Sequence, residues 1–202
     1  MAWTLLLAVI RHPPWSFEAA KRGWWTRDRF RGHQLVGKTL GILGYGRLGR
    51  IMGRYGRAFL MRVIPHDIRD VASEEGVELV DFDTLLRESD ILSIHIHLTQ
   101  ENRNLFTPEV FGKMKKGSCL INTSRGAIID EGAFLEALEN GHPGCAGIDV
   151  ITGEWDADLQ NHPLIHRNCL EIIPGEYILL NEIFSCSGTK RSGGKLIFFI
   201  MK

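Results

Sequence analysis

The stretch GILGYGRLGR, residues 41–50, places Gly44, Gly46 and Gly49 in the spacing G-x-G-x-x-G. Each glycine has a separate task in that pattern. Gly44 permits a tight turn, Gly46 lets backbone approach a pyrophosphate, and Gly49 lets a helix pack closely on the preceding strand. The amides at the helix start, with the positive end of the helix dipole, then hold the phosphate oxygens. Glycines often only make turns, so context matters: a short apolar run, TLGIL, comes before, and a helically spaced run, RLGRIMGRYGRAFL, follows. A second apolar run, RVIPHD, ends at Asp67, 18 residues beyond Gly49. That is close to the ~20 expected for the acid that bonds a ribose 2′-hydroxyl. A carboxylate there repels a 2′-phosphate, which favours NAD over NADP; Arg69 keeps NADP open as the lesser option. The plainer alternative is that Asp67 caps a turn.

Two further constellations carry chemistry. LINTSRGAIIDEGAFLEAL puts Arg125 just past the carboxyl end of an apolar run, where ligands bind in open α/β sheets. Its planar fork suits a carboxylate, although taken alone it reads equally well as a structural ion-pair partner. AGIDVITGEW places Asp149 and Glu154 at the next such end. A carboxylate there can orient a catalytic histidine, although taken alone each reads better as a solvated loop acid or a turn residue.

These residues need a scaffold of alternating elements. Residues 3–10 have the look of a core-facing helix, broken by Pro13 and Pro14. From Thr39 onward, short apolar strands (TLGIL, RVIPHD, ILSIHI, SCLINT, CAGIDV) alternate with helical stretches. Among the helices, DFDTLLRESD has Asp83 as its expected N-cap. TPEVFGKM starts with Thr107 as cap and Pro108 at the first helical position, and DEGAFLEALENG is closed by Gly141. Continuous apolar strands between helices predict an α/β fold, a doubly wound parallel sheet covered on both faces. The expected division is a helical, basic arm over 1–38, a dinucleotide-binding domain over 39–170, and a divergent tail over 171–202. In that tail the run LIFFIM is either an added edge strand or a poorly ordered terminus.

Composition is that of an ordinary globular protein, 44% hydrophobic and 24% charged with zero formal net charge over 202 residues. The balance conceals an asymmetry: residues 1–62 carry 12 Lys/Arg against 2 Asp/Glu, and the remainder 12 against 22. A basic segment can serve nucleic acid, but no aromatic-basic binding motif accompanies it, so a solvated or partner-facing arm is favoured. Trp24 and Trp25 could stack on a base; anchors at a subunit contact are the favoured reading. The four cysteines form no CxxC pair and no His cluster has metal spacing, which predicts free thiols and no metal site. The opening apolar run is too short to span a membrane and lacks the features of a signal peptide, so a cytoplasmic location is expected.

In their order and spacing, GKTLGILGYGRLGR, SIHIHLT, LINTSRGAIIDEGAFLEAL and AGIDVITGEW…HPL resemble the NAD-binding domain of the D-isomer-specific 2-hydroxyacid dehydrogenases. The GEW…HPL wording is similar to the phosphoglycerate-dehydrogenase-like branch. The resemblance implies an oxidoreductase that moves hydride between NAD(H) and C2 of a small 2-hydroxy or 2-keto acid. It assigns the substrate carboxylate to Arg125 and a histidine-pairing carboxylate to Glu154. Contact with the nicotinamide carboxamide falls to Asp149, the phosphates to Arg47 and Leu48, and the ribose to Asp67. Thr99 and Thr123 line the cofactor cleft, and the opening helix with its basic arm corresponds to a homodimerisation segment. His162 and His166, in NHPLIH, match a loop before a strand, where a surface histidine is expected.

Three departures qualify that expectation. The family's chain begins earlier, with residues that form much of a substrate domain, whereas Met1 here falls inside a helix of the cofactor domain. Gly175 follows Pro174 where the family's TPH motif has its catalytic histidine. The residues from Glu176 do not resemble the family's returning C-terminal helix. Together they predict a truncated cofactor domain with weak or no turnover. The alternative is a non-catalytic NAD-sensing dimerisation module, since the same fold serves a transcriptional corepressor.

Overall fold

Residues of opposite parity along each strand supply two cores. Successive strand side chains point to opposite faces. In β1 (Thr39–Leu43), Leu40 and Ile42 therefore join one cluster and Leu43 the other. The same division runs through β2 (Arg62–His66), β3 (Ile91–Ile94), β4 (Cys119–Asn122) and β5 (Cys145–Ile148). Val63, Ile91, Cys119 and Ile121 face one way; Ile64, Leu92, Ile94, Leu120 and Ile148 face the other. A fully buried Leu, Ile or Phe contributes about 1.5–3 kcal/mol, so two such layers anchor each of β1 to β5 on both sides.

This computed structural model describes residues 1–25, 31–72, 74–153, 162, 164, 179–180 and 196–199. Among them, seven parallel strands form one sheet in the order β2-β1-β3-β4-β5-β7-β6, with β6 at Leu179–Leu180 and β7 at Leu196–Phe199. The apolar run near the C-terminus is thus an added strand, but β7 lies between β5 and β6 rather than at the edge.

Helix α1 (Ala2–Arg11) buries Leu5, Leu6 and Val9 on the face that also carries α3 (Arg47–Ala58). The opposite face is covered by α4 (Phe82–Glu88), α5 (Pro108–Lys113) and α6 (Glu131–Asn140) through Leu85, Leu86, Phe111, Phe134 and Leu138. The connection after β1 thus leads to α3 on one face, and that after β3 leads to α5 on the other. The crevice at the carboxyl ends of β1 and β3 is the topological switch point of a doubly wound sheet.

Local signals explain most boundaries. Thr107 accepts from the amide of Val110 with Pro108 in the first turn of α5, and Gly141 closes α6 with φ 80°. Two expectations need correction. The cap of α4 is Asp81, whose Oδ1 accepts from Thr84 N at 2.8 Å. Asp83 lies within the first turn instead, where its charge suits the helix dipole. Pro13 and Pro14 end α1 as expected, yet they also open a second helix, α2 (Pro13–Lys21), because proline is compatible with a first turn whose amides have no helical partner. His12 makes the corner between the two helices in the left-handed region, φ 56°.

Candidate functional site

The three motif glycines differ in what surrounds them. Gly44 has φ +94°, and a Cβ there would lie 2.8 Å from Ile96 Cγ2 and 2.9 Å from the His95 carbonyl, so both its backbone and its contact with the end of β3 demand glycine. A Cβ on Gly49 would lie 2.1 Å from the Gly44 carbonyl oxygen, which is the close approach of helix to turn. Gly46 is the N-cap of α3 and provides no side-chain cap. A Cβ there would meet only Arg69 Nη2, at 3.4 Å. Space is therefore left open in front of the first turn of α3, where Arg47 and Leu48 are exposed. Open space at an uncapped N-terminus suits phosphate oxygens.

Asp67 follows β2 and sits beside that turn. Its Oδ2 accepts from the Tyr45 amide at 2.8 Å and its Oδ1 from the Arg69 amide at 3.0 Å. The Arg69 guanidinium adds Nε to Oδ1 at 3.0 Å and Nη2 to Oδ2 at 3.0 Å. The Arg69 fork, with these amides, holds the Asp67 carboxyl down at about 2, against the opposing effect of burial. A carboxylate that stays ionised in this position is a competent acceptor for ribose hydroxyls. Glycine turn, helix terminus and acid together fit the diphosphate and ribose of a dinucleotide.

Tyr45, between two motif glycines, did not stand out in the sequence. It is almost fully buried, its hydroxyl lies 3.2 Å from Glu74 Oε2, and the Arg50 guanidinium lies over its ring at 4.9 Å. Glu74 also pairs with Arg50 and, at 3.4 Å, with Arg57. This network fastens the glycine turn to the segment after β2. The only prior hint was a large aromatic in a turn otherwise made of glycines.

At the neighbouring strand ends the arrangement is looser. Thr99 stands in the turn after β3, where its amide donates to Asn102 Oδ1 at 2.8 Å. Thr123 follows β4 and is half-buried. Asn122, fully buried, shapes the next turn: its Oδ1 accepts from Ser124 N at 3.0 Å and its Nδ2 donates to the Arg125 carbonyl at 3.0 Å. Ser124 Oγ donates to the Ile94 carbonyl at 3.1 Å, tying the turn to β3. Arg125 is exposed beyond it, with Nη1 donating to the Ser124 carbonyl at 2.7 Å. Asp149 follows β5, and its amide donates to the Asn122 carbonyl at 2.9 Å. Glu154 lies outside the described residues.

His95, at the end of β3, lies with Nε2 2.8 Å from Ser93 Oγ, and burial lowers its pKa to about 4. It is neutral near pH 7. His162, expected as a surface residue, instead sets Nε2 3.1 Å from Glu131 and 3.1 Å from the Thr152 carbonyl, bracing the segment after β5 against the start of α6. Among the described residues, no group of three His, Cys, Asp or Glu side chains could hold a metal ion.

Parallel doubly wound sheet, glycine turn and a buried acid beside that turn are the features of a dinucleotide-binding domain. The chain belongs to the family described as "D-isomer specific 2-hydroxyacid dehydrogenase, NAD binding domain", whose profile matches residues 3–174. Hydroxypyruvate reductase of Thermotoga maritima is 38% identical over 158 residues, 78% of this chain and 52% of that protein. D-3-phosphoglycerate dehydrogenase of Bacillus subtilis is 40% identical over 168 residues, covering 81% and 32%. The apo structure of D-lactate dehydrogenase from Escherichia coli superposes with a TM-score of 0.71 at 37% identity, covering 74% of this chain and 48% of that one. The chain thus spans about half, or less, of the length of these relatives. NAD is the cofactor of the matched domain.

Proposed function

We propose that this chain is the NAD(H)-binding part of an oxidoreductase acting on small D-2-hydroxy or 2-keto acids, and that it turns over weakly or not at all by itself. The observation that carries this reading is the joined geometry of Gly44, Gly46, Gly49 and Asp67 at the switch point, which supports cofactor binding by residues of this chain alone. The α3 amides around Arg47 and Leu48 take the phosphates, and Asp67 takes the ribose. Thr99, Thr123 and Asp149 line the cleft. Bound NAD(H) supplies the hydride donor or acceptor. Arg125, exposed at the end of β4 with a fork suited to a carboxylate, orients the substrate.

Glu154 is assigned by resemblance to pair with a catalytic histidine, and the sequence has Gly175 at the position where the family carries that histidine. A positioned acid–base group is typically worth about 10²–10⁴-fold in rate, so its loss supports low turnover. The chain is proposed to act in the cytoplasm as a homodimer. Phe17, Trp24 and Trp25, all exposed on or just after α2, support a subunit contact through the arm of residues 1–38. Among the described residues, no helix is long and apolar enough to cross a membrane.

A turnover assay tests the proposal. NADH and a panel of 2-keto acids with the purified chain are expected to give no more than trace oxidation of NADH, while NADH itself binds. Rapid reduction of any of these acids would contradict it.

A further inference from the structure

We infer that Cys119 and Cys145 form a reversible thiol–disulfide pair, closed by a hydroperoxide and reopened by a dithiol, because the sheet holds them side by side at the amino ends of β4 and β5. The two are direct partners in the parallel register of these strands. Cys119 lies in the buried cluster that includes the apolar face of α1, and Cys145 packs against the same cluster. Neighbouring strands lie about 4.7–4.9 Å apart, within the roughly 4.4–6.8 Å usual between the Cα atoms of a disulfide. Backbone bonds pin the two strand entries together. Gly117 N donates to the Gly141 carbonyl at 2.8 Å, and Gly144 N and Cys145 N donate to the Ser118 carbonyl at 2.9 and 3.3 Å. A Cβ on Gly144 would lie 2.8 Å from Gly117 Cα, so glycine at 144 is what lets the entry turns touch.

The two thiols differ in access. Cys119 is 1% exposed, whereas Cys145 is only partly buried. A hydrogen bond to Cys145 and then burial hold the Cys119 thiol well above its usual range, and such a thiol is inert toward oxidant by itself. Cys145 therefore meets the peroxide first. Its sulfur attacks one oxygen of hydrogen peroxide; the S–O bond forms, the O–O bond breaks, and the departing hydroxide leaves as water with the Cys145 proton. The resulting sulfenic acid condenses with the neighbouring thiol. The Cys119 sulfur attacks the Cys145 sulfur, the S–O bond breaks, and hydroxide leaves as water with the Cys119 proton. Two electrons pass from the thiols to the peroxide. Side chains stand roughly perpendicular to a sheet, which keeps the Cβ atoms near strand spacing, a little wider than the ~3.5–4.5 Å of a disulfide. The bond therefore closes under some strain, and strained disulfides are the readily reduced ones. A dithiol then attacks the accessible Cys145 sulfur, releases Cys119 and closes its own disulfide.

Peptide mapping of the whole chain tests this. Trypsin places Cys119 in residues 117–125, Cys145 in 126–167, and Cys169 with Cys186 in 168–190. The folded chain is treated with hydrogen peroxide, then unfolded with N-ethylmaleimide to block the remaining thiols. Most of peptide 117–125 should be found joined to 126–167, and dithiothreitol before blocking should separate them. Cys119→Ser should leave a sulfenic acid on Cys145, trapped by dimedone, whereas Cys145→Ser should leave Cys119 reduced. Thermal unfolding checks that each variant is folded, and Cys119→Ala serves if a buried serine is not tolerated. Peptides 117–125 and 126–167 both recovered with maleimide from the oxidised wild type would overturn the inference. So would a persistent sulfenic acid on Cys145 beside a free Cys119, or links made only to 168–190. NADH binding does not enter the test, so either result leaves the cofactor reading as it stands.

Discussion

The two sides of the crevice are built to different degrees. At the β1–α3–β2 side, functional groups already satisfy one another: Asp67 holds the Tyr45 amide and Arg69, Tyr45 reaches Glu74, and Glu74 pairs with Arg50 and Arg57. At the β4–β5 side, buried Asn122 and Ser124 shape a turn, but the Arg125 guanidinium it presents is exposed and bonded to its neighbour's carbonyl. The cofactor side is preorganised within this chain. The side proposed to meet substrate presents the Arg125 cation outward.

Gly49→Ala gives the sharpest way to break that contrast. The new methyl would press on the Gly44 carbonyl, backbone that cannot step aside as a side chain would. Overpacking of this kind typically costs about 1–3 kcal/mol, so thermal unfolding should move down by several degrees and NADH affinity should fall with it. A variant with wild-type unfolding and affinity would show the helix to be less closely held than described.

Asp67→Ala follows. Hydrogen bonds to charged groups contribute about 1.5–3 kcal/mol, so NADH affinity should fall roughly 10- to 100-fold, measured by titration. A loss smaller than about threefold would mean that the ribose lies elsewhere.

Acid should separate two residues. The folded pKa of His95 is lowered from 6.5 to about 4, so the neutral ring favours the folded state above pH 6.5, and that contribution fades as the pH falls toward 4. The Asp67 pKa is lowered from 3.8 to about 2, so its contribution is full above pH 4 and is lost as the pH falls toward 2. Unfolding temperature against pH should therefore flatten in the upper window for His95→Gln and in the lower window for Asp67→Asn. Curves parallel to the wild type in both windows would remove these assignments.

Arg125→Ala should do least to the folded chain: a shift within about 0.5 kcal/mol in stability and no change in NADH affinity, by the same two assays. A large loss of either would place Arg125 in the scaffold rather than at its open side.

Much of the cofactor side was legible because its residues have few substitutes. A left-handed turn and a close helix contact each exclude a side chain, so Gly44 and Gly49 carry their tasks in their identity, whereas a Cβ on Gly46 would meet only Arg69. Thr107 and Gly141 were legible for similar local reasons. Tyr45 was not, because its role depends on Glu74 and Asp67, which only the fold brings to it. Asp81 and Asp83 are chemically equivalent candidates on either side of Phe82, the first residue of α4, and sequence alone does not choose between them. Arg69 read as a neighbour of the acid; that it saturates the acid depends on a side-chain direction. β7 could be proposed from its apolar run, but its place between β5 and β6 is set by pairing with distant strands.

The most direct test of the account is an NADH titration of the purified chain, following energy transfer from its tryptophans to the nicotinamide. The account predicts saturable binding by this chain alone, as expected of a cofactor site whose parts already hold one another in place. Absence of binding by a demonstrably folded chain would contradict it, and would mean that the preorganised side of the crevice is not sufficient to hold a dinucleotide.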